Sequence, residues 1–183
     1  GRLHFDHVRV PRENLLARYG QVAPDGTYTS PIESPGRRFF TMLGSLVQGR
    51  VSLDGAAGVA TKIALATAVR YGNERRQFSS ATGSDETVLL DYGEHQRRLL
   101  PLVAQAYAGH FAHDRLLDLF HAVFSGETDT PEAREDLETM AAALKPVSTW
   151  RALETLQTAR EACGGQGFLT ENRLVSLRAD LDV

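Results

Sequence analysis

Arg50, Arg75, Arg76, Gln77 and Phe78 are the residues whose types and spacing most suggest ligand chemistry. Guanidinium is favoured wherever a phosphate or carboxylate is gripped in a fixed geometry. The twenty-five steps from Arg50 to Arg75 would span roughly 37 Å in one helix, too far for both to serve one small-molecule pocket. Either the arginines are unrelated, or one helix carries parts of two sites. Arg75 and Arg76 can equally be read as cations facing the carbonyl end of a helix dipole.

Gly164, Gly165, Gln166 and Gly167 form a second candidate, because glycines let a backbone approach a ligand closely. The same glycines can be read as a plain helix stop, and both readings stay open. They follow a helical pattern rather than a strand and lack the third glycine of a dinucleotide fingerprint. Cys163 has no helix N-terminus near it to activate a thiolate, so it is expected to pack. His110, His113 and His121 with Asp114 and Asp118 lack a Glu-x-x-His partner on another helix, so no metal site is expected. No Ser, His, Asp order and no H-E-x-x-H is present, which leaves hydrolase readings without support.

With 20 Lys and Arg against 23 Asp and Glu, the net charge is −3, and no basic run with interleaved aromatics occurs. Nucleic acid is therefore not an expected partner. Lysine appears only at Lys62 and Lys145, an arginine bias that a GC-rich genome would also give. One cysteine excludes an internal disulfide and a thiolate cage. No apolar run is long enough to cross a bilayer, and the first residues do not read as a signal peptide. With no initiator Met, the chain reads as a cut made inside a larger protein.

The elements that must position these residues are mostly helical. Between Val51 and Tyr71 there is no proline, and Gly55, Val59, Ile63, Ala66 and Val69 recur at helical spacing. Alanines and glycines fill much of the remaining surface, so this helix is expected to be buried between others. Before it, Leu3, Phe5, Val8 and Val10 nearly alternate, predicting one strand whose partners lie elsewhere, broken at Asp6 and His7. Residues 12–35 are rich in turn formers, with Pro24, Asp25 and Gly26 the clearest turn. The long helix is predicted to begin near residues 37–43.

A loop over residues 79–86 leads to a second helix carrying Leu89, Tyr92, Gln96, Leu99, Val103, Ala106, His110 and Phe111, with Pro101 expected to kink or break it. Thr130 and Pro131 read as N-cap and first position of a third helix. That helix carries Leu137, Met140, Leu144, Trp150, Leu153, Leu156 and Cys163, has a likewise kinking Pro146, and stops at Gly164 and Gly165. The fold class expected is mainly α, an antiparallel helical bundle preceded by one strand and a loop. Its divisions are residues 1–14 as residual strand, 15–36 as linker and 37–183 as helical domain.

In family order, FDHVRVPRENLL, VAPDGTYTSP, RYGNERRQF, LLDYGEHQRRLLPLVAQAYAGHF and EACGGQGFL resemble the acyl-CoA dehydrogenase and oxidase superfamily, and within it the acyl-CoA oxidases. The resemblance implies a C-terminal fragment of a flavoenzyme that converts acyl-CoA to trans-2-enoyl-CoA in fatty-acid β-oxidation. In oxidases, the electrons then pass to O₂ and give H₂O₂. It implies that Arg75 and Gln77 meet the diphosphate and adenosine of an FAD held mainly by the neighbouring subunit of a homodimer. Phe78 would pack beside that cofactor, Gly164 and Gly165 would bring backbone to it, and Arg50 would lie near the acyl-CoA. The family's catalytic glutamate is expected beyond Val183, so no catalytic residue is assigned here, and the fragment itself is expected to be inactive. Glu161 departs from the glutamine of many dehydrogenases near the adenosine. The resemblance also suggests a bacterial-type enzyme in the cytoplasm. The alternatives are an acyl-CoA dehydrogenase that uses an electron carrier and a helical dimerisation module without flavin.

Overall fold

The computed structural model describes residues 1–79, 83 and 85–182, and the chain divides into two compact units, Gly1–Leu46 and Val47–Val183. The expected loop over residues 79–86 falls partly on residues 80–82 and 84, outside the described set.

In the first unit the expected turn is realised as a hairpin. β1 (Gln21–Val22) pairs antiparallel with β2 (Tyr28–Thr29), Gly26 takes φ 88°, and the Asp25 carboxylate accepts the Thr27 amide at 2.9 Å. That amide holds the Asp25 carboxyl below its ordinary value. The strand expected over residues 3–10 forms no ladder, and Leu3, Phe5, Val8 and Val10 are exposed. A strand without a neighbour has nothing to receive its backbone donors. α1 (Pro35–Leu43) opens on Ser34, whose hydroxyl accepts the Arg37 amide, with Pro35 in the first turn where its missing N–H is harmless. One helix was expected from here onward; instead the chain breaks at Gly44 and Ser45.

α2 (Leu46–Glu74) then runs without interruption for 29 residues. Its buried face differs from the expected one. Ala57, Ala60, Ala64, Leu65 and Ala68 are buried with Val51 and Asp54, whereas Val59 and Ile63 are 55% and 40% exposed. On a helix apolar nearly all round, periodicity alone does not choose the face. Side chains of one carbon let neighbouring helices come close, so the alanine face is the one packed within the chain.

β3 (Arg76–Ser79) pairs antiparallel with β4 (Glu86–Val88), and α3 (Gly93–Ser125) and α4 (Pro131–Ala162) complete the bundle. The Thr130 hydroxyl accepts the Ala133 amide at 3.2 Å, the expected cap. Pro101 and Pro146 lie inside α3 and α4, and neither breaks its helix. Trp150 and Phe111, counted on apolar stripes, are 75% and 66% exposed. α4 stops where Gly164 turns left-handed at φ 55°, a 3-10 stretch covers Gly164–Phe168, and α5 (Leu174–Leu181) follows.

Two apolar clusters fill the bundle. One joins Ala64, Ala68, Leu99, Leu156, Ala159, Cys163 and Leu174; the other joins Val47, Val51, Leu116, Val123, Leu137 and Ala141. The C-terminal ends of α2 and α4 therefore share one end of the bundle with the start of α3. The start of α2 belongs to the other. Cys163 packs as expected, and burial pushes its thiol up. Among the described residues, no helix is long and apolar enough to cross a membrane.

Candidate functional site

The unbroken course of α2 separates the two arginine positions. Arg50 is exposed near its first turns, in the part of the helix that packs in the second cluster. Arg75, Gln77 and Phe78 follow its other end, where Gly164 and Gly165 end α4. The structure thus brings five of the six candidates to one end of the bundle and leaves Arg50 at the opposite one.

At the shared end, backbone hydrogen bonds fix the strand while its side chains stay outside. The Arg75 amide donates to Tyr71 O at 2.8 Å, and Arg75 O accepts the Leu89 amide at 2.9 Å. The Gln77 carbonyl accepts the Tyr92 hydroxyl at 2.7 Å. Register shifts between Gln77 and Ser79, so Phe78 is the unmatched residue of a bulge, with φ 59° and its ring 68% exposed. Arg76, by contrast, uses its guanidinium on Glu86 O at 3.1 Å, a structural role.

The glycine turn is built for open backbone. A Cβ placed on Gly164 or Gly165 would meet no heavy atom within 4 Å. Gly167 is different: a Cβ there would collide with the Arg160 carbonyl, so close packing of the turn against α4 requires glycine. The Arg160 guanidinium sits over the Phe168 ring at 4.5 Å, and Asn172 donates to Gln166 O at 2.6 Å while accepting the Leu174 amide at 3.0 Å.

Glu161 is taken up by the bundle itself. It accepts from Arg98 of α3 at 2.5 Å and from Gln157 at 2.7 Å. Those two bonds, Arg98 first, hold its carboxyl below the ordinary range. The Gln157 and Glu161 pair is readable from its four-residue spacing, but Arg98 comes from another helix and no sequence pattern announces it. Tyr92 stands in an apolar stripe of the sequence, and the bond from its hydroxyl back to Gln77 in β3 has no spacing signature either.

Two histidines of α3 meet polar side chains of α2. His113 Nδ1 lies 2.8 Å from the buried Asp54 carboxylate, and His110 Nδ1 lies 3.2 Å from Lys62 Nζ. Beside Asp54, a cavity of about 130 Å³ opens between α2, α3 and α4, lined by Gly58, Thr61, Gln105, Gly109 and Arg151 among others.

At this end a guanidinium and a carboxamide are the side-chain donors, beside an exposed ring and open glycine backbone, and of these the guanidinium is the group able to grip an anion. The Arg75 guanidinium makes no hydrogen bond or ion pair to any described residue, so its charge is available.

A family model, "Acyl-CoA oxidase, C-alpha1 domain", matches residues 43–183. The chain is 42% identical over its whole length to acyl-coenzyme A oxidase 3 of Arabidopsis thaliana, a peroxisomal protein. It is 42% identical over 97% of its length to peroxisomal acyl-coenzyme A oxidase 3 of Homo sapiens. It spans about a quarter, 26%, of the length of each of these relatives. Among solved structures it superposes on acyl-CoA oxidase-1 of Caenorhabditis elegans, complexed with FAD and ATP, with TM-score 0.77, 31% identity and coverage of 97% of this chain and 25% of that one. The expectation of a bacterial cytoplasmic protein is overturned by these relatives, which are peroxisomal proteins of a plant and of human. An arginine bias does not distinguish a bacterium from a eukaryote.

Proposed function

Because this chain belongs to the acyl-CoA oxidase family, we propose that it is the bundle of a flavin-dependent oxidase converting acyl-CoA to trans-2-enoyl-CoA within fatty-acid β-oxidation. Residues 1–14 belong in this reading to a strand of a preceding β-domain, 15–36 to a linker, and 37–183 to an incomplete helical domain. FAD, if held there, would supply the redox chemistry, taking up the hydride from the β carbon while a base takes the α proton, and passing two electrons with two protons to O₂ to give H₂O₂.

The chain's own residues bind and orient. Arg75 holds the diphosphate, Gln77 meets the adenosine part, and Phe78 lays its exposed ring beside the cofactor. Gly164 and Gly165 bring bare backbone to the same group. Arg50, at the far end of α2, orients the acyl-CoA. One rod then contributes to two chambers, and the cofactor chamber is completed by a second subunit. No residue of this chain is assigned the proton abstraction. The observation that carries this reading is the gathering of Arg75, Gln77, Phe78, Gly164 and Gly165 at one bundle end, in a chain that matches acyl-CoA oxidases along nearly its whole length.

The test uses the full-length protein. With acyl-CoA and air it should form enoyl product and peroxide in equal amounts. Arg75→Ala should weaken FAD roughly tenfold, as expected for loss of one charge-assisted contact. Enoyl product that forms only with an artificial acceptor, without peroxide, would instead identify a dehydrogenase.

A further inference from the structure

Phe78 is an unusual residue to find in left-handed backbone. Its φ of 59° crowds the Cβ of any L residue, and an aromatic one has no side-chain polar group to compensate. Its ring is 68% exposed, so packing within the chain does not repay the strain. Such a conformation persists only where surrounding bonds over-determine it.

Those bonds come from the segment that leads from β4 into α3. Leu89 donates its amide to Arg75 O at 2.9 Å, and Tyr92 donates its hydroxyl to Gln77 O at 2.7 Å. The second bond acts on the peptide between Gln77 and Phe78, where the ladder slips register. Tyr92 is itself well anchored. Its amide donates to Leu89 O at 3.2 Å, its carbonyl accepts the Gln96 amide at 3.1 Å, and it is the last extended residue before α3. The hydroxyl therefore works from a fixed base. Without it, the Gln77 carbonyl would be free to rotate and Phe78 to relax toward ordinary strand geometry, swinging both side chains.

We propose that the Tyr92 hydroxyl is the positioning group of the FAD-contacting strand: by holding the Gln77 carbonyl it keeps Phe78 left-handed and the two side chains aimed at the cofactor. This rests on the reading of Arg75, Gln77 and Phe78 given under Proposed function. Tyr92 acts through the Gln77 carbonyl. Its contribution is orientation supplied before binding.

The experiment titrates FAD into full-length apoprotein and follows flavin fluorescence. Tyr92→Phe keeps the ring and removes only the hydroxyl, and should weaken FAD about three- to tenfold, the range of one hydrogen bond. In a Phe78→Gly background the same change should weaken FAD less than about twofold, because glycine enters the left-handed region unaided. A merely structural hydroxyl would give equal losses in both backgrounds, and that result overturns the proposal. So does FAD affinity for Tyr92→Phe that matches the unmodified protein. Arg75→Ala and Gln77→Ala separate the levels: if they weaken FAD while Tyr92→Phe does not, the positioning role falls and the cofactor reading stands. If neither weakens FAD, the cofactor reading falls and takes the positioning role with it.

Discussion

His95, in the first turn of α3, packs its Nε2 against Gly72 of α2 so closely that a Cβ on that glycine would lie 3.0 Å away. The nitrogen is buried and has no hydrogen-bond partner among the described residues. A protonated ring would bury an N–H with no acceptor, so the packed form is neutral. Burial first, and then the Arg98 charge, hold the imidazole below its ordinary value of 6.5. The sign follows from proton counting: below 6.5 the unfolded chain takes up a proton that the folded one refuses, so stability falls as pH drops toward the lowered value. Above 6.5 the site contributes no slope. The thermal midpoint of the full-length protein should therefore decline as pH falls below 6.5 more steeply than that of His95→Gln. Equal slopes would show that the ring protonates in place. Nothing in the sequence marks His95 apart from the other five histidines; its role depends on a glycine twenty-three residues earlier, brought close only by the packing of two helices.

At the scale of elements, α2 makes opposite predictions for two glycines three residues apart. A Cβ on Gly58 would meet open space at the cavity, so Gly58→Ala should stabilise by up to about 1 kcal/mol through helix propensity. A Cβ on Gly55 would lie 2.9 Å from His113 Cε1, and that ring is tied to Asp54 at 2.8 Å. Displacing it leaves a carboxylate only 4% exposed without its partner, a loss of about 3 kcal/mol that outweighs the same propensity gain. Gly55→Ala should then be less stable by roughly 2 kcal/mol, read as a lowered urea midpoint beside a raised one for Gly58→Ala. Two midpoints moving together would remove the Asp54 and His113 pair from the account. Helix existence, the Thr130 cap and the Gly164 stop were legible because each depends on neighbours in sequence. The buried face of α2, the α1 break and α5 were not. A helix of alanines and glycines offers periodicity no contrast, and no proline marks the break at Gly44 and Ser45. The candidate residues were legible through family resemblance, whereas Tyr92, which bonds back to strand β3, and Arg98, which reaches from α3 to α4, act on residues distant in sequence and left no local pattern.

For the molecule as a whole, the apolar surface left outside argues about assembly. Val59 and Ile63 of α2 and Leu100, Tyr107 and Phe111 of α3 are each 40% exposed or more. The last three recur at spacings of seven and four, so they share one helical face. Between α2 and α3 runs a groove lined by Leu65, Val103, Ala106 and Tyr107, with Lys62 and His110 at its polar edge. Isolated apolar residues on a surface need no explanation, but a continuous stripe beside an apolar groove does. In the proposed enzyme this surface is covered by the rest of the protein or by a second subunit. The 183-residue chain alone lacks whatever else covers it, so at tens of micromolar its scattering mass should exceed the 20.1 kDa of one copy. Ile63→Glu with Tyr107→Glu, which place charge on both helices without touching a buried position, should return it to a single copy. A monomer at every concentration in the unmodified chain would mean that the stripe is simply solvated.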